Sequence, residues 1–225
     1  GIDPDDLLAH AQEQRGVAGY PRAVAVDHKT FLSTRADIFV PAALEKAKKT
    51  IAKSTAKLLE KEKITPDQIA AVEKINFVKN FSTLGDADLI IEAASENPEL
   101  KFKIFEELDE GARPGVILAT NTSSISITKI AAVTTRAENV IGMHFMNPVP
   151  VMQLIEVIKG LATDEETLAL TLALSEKMSK TPVPAEDYPG FVANRILMPM
   201  LNEAIYCVFE GVGEPEHIDQ IMKLG

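Results

Sequence analysis

Asn139-Val-Ile-Gly-Met-His-Phe-Met-Asn-Pro-Val-Pro-Val-Met-Gln-Leu-Ile-Glu-Val-Ile158 sets two short apolar runs on either side of a proline-rich turn. Runs of this length with β-branched residues, bounded by turn residues, read as buried strands. If the chain reverses around Pro150, His144 falls opposite Glu156, since each lies six residues from the turn centre. Opposed residues of an antiparallel pair have Cβ atoms ~5 Å apart. A carboxylate at that range can hold one imidazole nitrogen and leave the other to take a proton. Spacing alone favours the plainer reading, a core histidine beside a strand-end glutamate.

Working outward, Asp88-Leu-Ile-Ile-Glu-Ala-Ala94 and Val116-Ile-Leu-Ala-Thr120 are two further buried strands. Helical patterns separate them. Residues 98–110 place Leu100, Ile104, Phe105 and Leu108 on one face, and residues 42–61 read as a long exposed helix. Thr65-Pro66-Asp67-Gln68 and Thr163-Asp-Glu-Glu166 carry helix-capping patterns. Short apolar strands alternating with helices predict an α/β fold of the Rossmann-like, doubly wound kind, with a mostly parallel sheet. After Asp187-Tyr-Pro-Gly190 the pattern is helical only. The expected division is a dinucleotide-binding domain over 1–187 and a truncated all-helical domain over 188–225.

The chain has 225 residues, 46% hydrophobic and 25% charged, the balance of an ordinary globular protein. A net charge of −10 argues against a nucleic-acid backbone as partner. The single cysteine, Cys207, excludes an internal disulfide and a multi-cysteine metal site, and its apolar surroundings suggest a buried structural thiol. No apolar run reaches the ~18 residues of a membrane span, and no signal pattern opens the chain. A location in the cytoplasm or an organelle matrix is expected, with no membrane, nucleic-acid or metal partner.

Two other places can carry chemistry. Asn121-Thr122-Ser123-Ser124 follows an apolar strand, at the carboxyl edge where parallel sheets bind ligands. One serine there caps the next helix and leaves the other open to a functional reading. Asn194, in Gly190-Phe-Val-Ala-Asn-Arg195, either faces a cleft between domains or is a solvated first-turn residue.

Asn121-Thr-Ser-Ser124, Ile141-Gly-Met-His-Phe-Met-Asn-Pro-Val-Pro150, Leu154-Ile-Glu-Val157 and Pro189-Gly-Phe-Val-Ala-Asn-Arg195 together resemble the signatures of 3-hydroxyacyl-CoA dehydrogenases, including 3-hydroxybutyryl-CoA dehydrogenases. Order and spacing fit too, over about residues 43–225. The resemblance implies an oxidoreductase of fatty acid and butanoate metabolism that moves a hydride between NAD and C3 of an acyl-CoA. It implies His144 as catalytic base, Glu156 as its orienting partner, and Ser123 and Asn194 as hydrogen-bonding partners of the C3 oxygen. Glu96, Lys101 and Asn147 match positions that touch NAD, with Asn121 placed beside them. Ser54 and Lys61 match positions that touch the CoA moiety. A homodimer is expected, because Ile196, Leu197, Met200, Leu201, Ile205 and Val208 offer more apolar surface than the segment after Gly190 can bury on itself.

One expected part has no match. A strand, Gly-x-Gly-x-x-Gly, helix unit should hold the pyrophosphate, yet Gly1, Gly16 and Gly19 do not form it, and Gly211-Val-Gly213 has no third glycine. In that place Gly1-Ile-Asp-Pro-Asp-Asp-Leu-Leu-Ala-His10, Gly19-Tyr-Pro21 and Ala36-Asp-Ile-Phe-Val-Pro-Ala-Ala-Leu44 resemble a central piece of glutamate dehydrogenases. Residues 4–15 are expected as a helix, with strands at 22–27 and 37–41; Asp27 imitates a ribose-binding acid or is a turn residue. Three functions follow: an acyl-CoA dehydrogenase, a non-catalytic hybrid module with impaired NAD binding, or an activity derived from glutamate dehydrogenase. The last lacks the lysine- and glycine-rich substrate segment it needs.

Overall fold

A computed structural model describes residues 37–39, 44–62, 64–65, 69–70, 72–78 and 87–225. Near the start, β1 (Asp37–Phe39) pairs in parallel with β2 (Asn76–Val78), and α1 (Leu44–Glu60) runs between them in the chain. A strand and a helix are therefore present within the spans expected at 37–41 and 42–61; residues 40–43 lie outside the described residues. The elements expected at 4–15 and 22–27, Asp27, and most of the Thr65–Gln68 cap lie outside the described residues.

The main sheet holds β3 (Leu89–Glu92), β4 (Ile117–Thr120), β5 (Val140–Phe145), β6 (Leu154–Lys159) and β7 (Thr181–Glu186), in that spatial order. All neighbours are parallel except β5 and β6, which run antiparallel. The turn around Pro150 needs that reversal. The sequence reading gives no strand at β7, which carries Pro182 and Pro184. β7 is the edge of this sheet, where a residue without an N–H is tolerated.

Alternation along the strands sorts the core into two layers. Ile90, Leu118, Val140 and Ile158 pack on one face with Phe105 and Leu108 of α2 (Pro98–Gly111) and Ile127 and Ile130 of α3 (Ile127–Ala131). Ile117, Ala119, Ile141, Met143, Ile155 and Val157 form the other layer, under Leu168 and Leu172 of α4 (Glu165–Lys177). Each large aliphatic side chain buried this way contributes ~1.5–3 kcal/mol relative to exposure. Gly142 lets α3 approach β5: a Cβ there would lie 2.8 Å from Ile158 Cβ and 2.9 Å from Ile127 Cδ1. Two helices follow the sheet, α5 (Ala193–Phe209) and α6 (Pro215–Leu224), and neither has a buried residue.

Three expectations need correction. The buried stripe of α2 runs through Lys101, Phe105 and Leu108, not Leu100, which is 40% exposed. The stripe turns because Lys101 has an ionic partner inside. Asp164, not Thr163, caps α4, its side chain accepting from Thr167 N, while the buried Thr163 hydroxyl donates to Val140 O. Cys207 is half-buried rather than buried.

Candidate active site

Parallel strands β3, β4 and β5 bring their carboxyl ends to one edge, and Glu96, Asn121, Ser123 and Asn147 follow those ends. His144 and Glu156 are register partners across β5 and β6. The His144 Nδ1 atom lies 2.8 Å from Glu156 Oε2, and both side chains are buried. An acceptor-only carboxylate beside Nδ1 requires the proton on that nitrogen, which leaves the Nε2 lone pair as the basic position. The other carboxylate oxygen, Glu156 Oε1, accepts from the backbone N–H groups of Val192 (3.2 Å) and Ala193 (3.0 Å), at the start of α5. Glu156 thus holds the imidazole with one oxygen and the helical segment with the other. Phe191 completes the pocket, its ring edge on the His144 ring at 5.7 Å.

Asn194 follows one residue after this junction. Its Nδ2 donates to the Ser123 carbonyl at 3.3 Å. Ser123 and Asn194 also line an open cleft of about 510 Å³, with Ser124, Gly190, Arg195 and Met198. The buried His144 is not among the residues lining that cleft. The shape therefore reports the Ser123–Asn194 side of the site rather than the base itself.

The loop after β4 is fixed by a carboxylate from the loop after β3. Glu96 Oε1 accepts from the Thr122 and Ser124 hydroxyls and from the Ser123 and Ser124 backbone N–H groups. Burial alone would raise the Glu96 carboxyl, but these hydrogen bonds and the Lys101 charge outweigh it and hold the group below its ordinary range. Asn121 ties the strand ends together, its N–H donating to Glu92 O (2.7 Å) and its Oδ1 accepting from Phe145 N (2.9 Å). Asn147 is exposed in the turn between β5 and β6.

Lys101, expected beside NAD, is held inside by an ion pair. Its side chain is 0% exposed and its Nζ donates to both oxygens of Glu92, at 2.8 and 2.9 Å. Glu92 accepts in addition from the Thr120 hydroxyl and from Ala94 N. The Lys101 ammonium is 3.8 Å from Glu96 Oε2, so its nearest link to the site runs through Glu96. Sequence reasoning missed Glu92. The available signal was a charged residue inside an apolar strand, which needs a partner once buried.

Ser54 and Lys61 lie seven residues apart along and just beyond α1, half-buried and exposed respectively. Among the described residues no hydrogen bond joins either to the His144 cluster. No group of three or more metal-ligating side chains occurs among the described residues, and no described helix is long and apolar enough to cross a membrane.

Comparison with known proteins shows the family. The family model described as "3-hydroxyacyl-CoA dehydrogenase, NAD binding domain" matches residues 23–188, and that described as "3-hydroxyacyl-CoA dehydrogenase, C-terminal domain" matches residues 190–225. The chain is 53% identical over 186 residues to a probable 3-hydroxybutyryl-CoA dehydrogenase of Bacillus subtilis, covering 82% of this chain and 65% of the relative. It is 47% identical over 177 residues to a 3-hydroxybutyryl-CoA dehydrogenase of Bradyrhizobium diazoefficiens, covering 78% and 60%. The crystal structure of (S)-3-hydroxybutyryl-CoA dehydrogenase from Ralstonia eutropha superposes with a TM-score of 0.82 at 46% identity, over 88% of this chain and 71% of that one. The chain thus spans under two thirds of the length of the first two relatives. The family match begins at residue 23, inside the stretch that resembles glutamate dehydrogenase, so the family border moves from about 43 back to 23.

Proposed function

The chain belongs to the 3-hydroxyacyl-CoA dehydrogenase family, and we propose that it transfers a hydride between NAD and C3 of a short 3-hydroxyacyl-CoA. The observation that carries this reading is the His144–Glu156 pair at 2.8 Å, with Ser123 and Asn194 joined beside it. In the oxidative direction His144 Nε2 takes the proton of the 3-hydroxyl. Glu156 stabilises the imidazolium that forms. Ser123 and Asn194 donate hydrogen bonds to the oxygen as it becomes a carbonyl. Bound NAD supplies a two-electron acceptor for the hydride that leaves C3. The carboxyl edge of β3, β4 and β5 suits the nicotinamide half of such a group, with Glu96, Asn121 and Asn147 exposed or half-exposed along it. Ser54 and Lys61 on the α1 side are the proposed CoA contacts. We place the domain division near residue 187, which the meeting of the two family matches at 188 and 190 supports.

The chain is expected to bind NADH and to oxidise it in the presence of acetoacetyl-CoA. Calorimetric titration and steady-state absorbance measure the two. Activity that ignores acetoacetyl-CoA counts against the assignment. Binding with no turnover points to the non-catalytic hybrid module. Nothing supports an activity derived from glutamate dehydrogenase, since the family match takes in residues 23–44 of the stretch that suggested it.

A second copy of the chain is the proposed partner of the helical segment. Ile205 is 67% exposed and Phe209 83%, and Ile221, Met222 and Leu224 of α6 are exposed too. Patches of that kind become interfaces. Sedimentation should show a dimer at micromolar concentration, and Ile205→Glu should shift it toward monomer. A wild-type monomer at every concentration would contradict the proposal.

A further inference from the structure

The proposed reaction needs Ser123, His144 and Asn194 at one substrate oxygen, and these residues come from three different elements. Ser123 and His144 follow β4 and lie in β5, so the sheet places them. Asn194 lies on α5, a helix with no buried residue of its own. Its position is set by the linker from Asp187 to Ala193. That linker is fastened at three points. Val192 and Ala193 donate to Glu156, and the buried Phe191 packs against His144. The third point is Asp187, whose Oδ2 accepts from the Ser126 hydroxyl at 2.7 Å and from Thr128 N at 2.8 Å, while its own N–H donates to Lys159 O.

The first two fastenings use the reacting base and its partner. Asp187 uses neither. It grips the start of α3 at Ser126, three residues beyond Ser123. Between Asp187 and Asn194 the backbone leaves little slack. Gly190 has φ +78°, and a Cβ there would lie 2.9 Å from Arg195 N; Phe191 also has a positive φ of 49°. The Asp187 carboxylate therefore joins the segment bearing Ser123 to the segment bearing Asn194 through a linker with a defined path.

Resting on the function proposed above, we propose that Asp187 is a positioning residue for hydride transfer, setting the separation of Ser123 and Asn194 across the substrate oxygen. It touches no reacting atom. Displacement of a positioned group by an ångström costs ~10²-fold in rate. Asp187→Ala should lower kcat by about 10- to 100-fold and raise KM for acetoacetyl-CoA, with the NADH dissociation constant changed less than about twofold. Asp187→Asn keeps an oxygen acceptor for Ser126 and Thr128 and should retain kcat within about threefold.

A role limited to capping α3 would lower stability without separating kcat from cofactor affinity. Hydrogen exchange followed by mass spectrometry tests the idea independently of turnover. In Asp187→Ala the peptides covering 121–130 and 188–196 should exchange faster while 98–111 is unchanged. An Asp187→Ala protein with wild-type kcat overturns the proposal, as does unchanged exchange in both peptides. Equal loss of kcat and NADH affinity in both variants also overturns it. If the wild-type chain itself shows no acetoacetyl-CoA-dependent turnover, the functional reading fails, and exchange alone decides whether Asp187 couples the two segments.

Discussion

Replacing His144 by alanine is expected to lower kcat by about 10²–10⁴-fold, the range that a positioned general base contributes. The rest of the site keeps its contacts. Glu156 keeps its two backbone donors at Val192 and Ala193, so the junction with α5 survives the change. Ser123 and Asn194 keep their mutual contact, and in the proposed reaction they would still hold the substrate oxygen in the ground state. The affinity for acyl-CoA should therefore change little, and the loss should appear in kcat and kcat/KM together. That pattern marks an interaction made in the transition state rather than uniform binding. His144→Gln keeps more of the side-chain volume against Phe191 and should be as inactive as His144→Ala, which separates lost packing from lost base. Retention of kcat within about threefold in either variant would show that another group takes the proton.

The pairing behind this prediction was legible in the sequence because an antiparallel turn has a simple rule of opposition. His144 and Glu156 are equidistant from Pro150, and the β5–β6 register pairs them. Strand periodicity also located β3 to β6 to within two residues at each end. Legibility ended where a residue's place depends on a distant partner. Leu100 was preferred to Lys101 on the buried face of α2 because apolar pattern alone cannot anticipate that Glu92 awaits an ammonium inside. β7 was hidden because Pro182 and Pro184 weaken a strand signal, and only its edge position makes them acceptable. Asp187 looked like a linker residue. Its bonds to Ser126 and Thr128 span 61 and 59 positions, far beyond any local motif. The proposed roles of Ser123, Asn194 and Glu96 came from family resemblance. Composition and spacing left helix capping open for one of the two serines and a solvated first turn for Asn194.

Lys101→Met is expected to destabilise the protein by about 3–5 kcal/mol, the usual cost of removing one partner from a buried ion pair. The magnitude is large because Glu92 is buried: it is 5% exposed and sits at the end of β3, with both its oxygens on the Lys101 ammonium. Its remaining donors, the Thr120 hydroxyl and Ala94 N, stabilise a carboxylate but do not neutralise it. Urea denaturation should show the loss as a lower midpoint with an unchanged slope. A loss below about 1 kcal/mol would mean that Glu92 relaxes to solvent or takes up a proton at little cost.

Adding Glu92→Gln to Lys101→Met removes the charge and keeps a carbonyl oxygen for Thr120 and Ala94. Most of the stability should then return, because an unpaired buried charge is far more costly than an amide with its acceptor satisfied. The same double variant decides what Lys101 does for the cofactor. If its ammonium touches NAD directly, the repaired protein still binds NADH weakly, since no amide of Glu92→Gln replaces a cation at that position. If Lys101 acts by fixing the β3 end and steadying Glu96 at 3.8 Å, NADH affinity returns with stability. The complete burial of the Lys101 side chain and its two short bonds to Glu92 favour the second outcome.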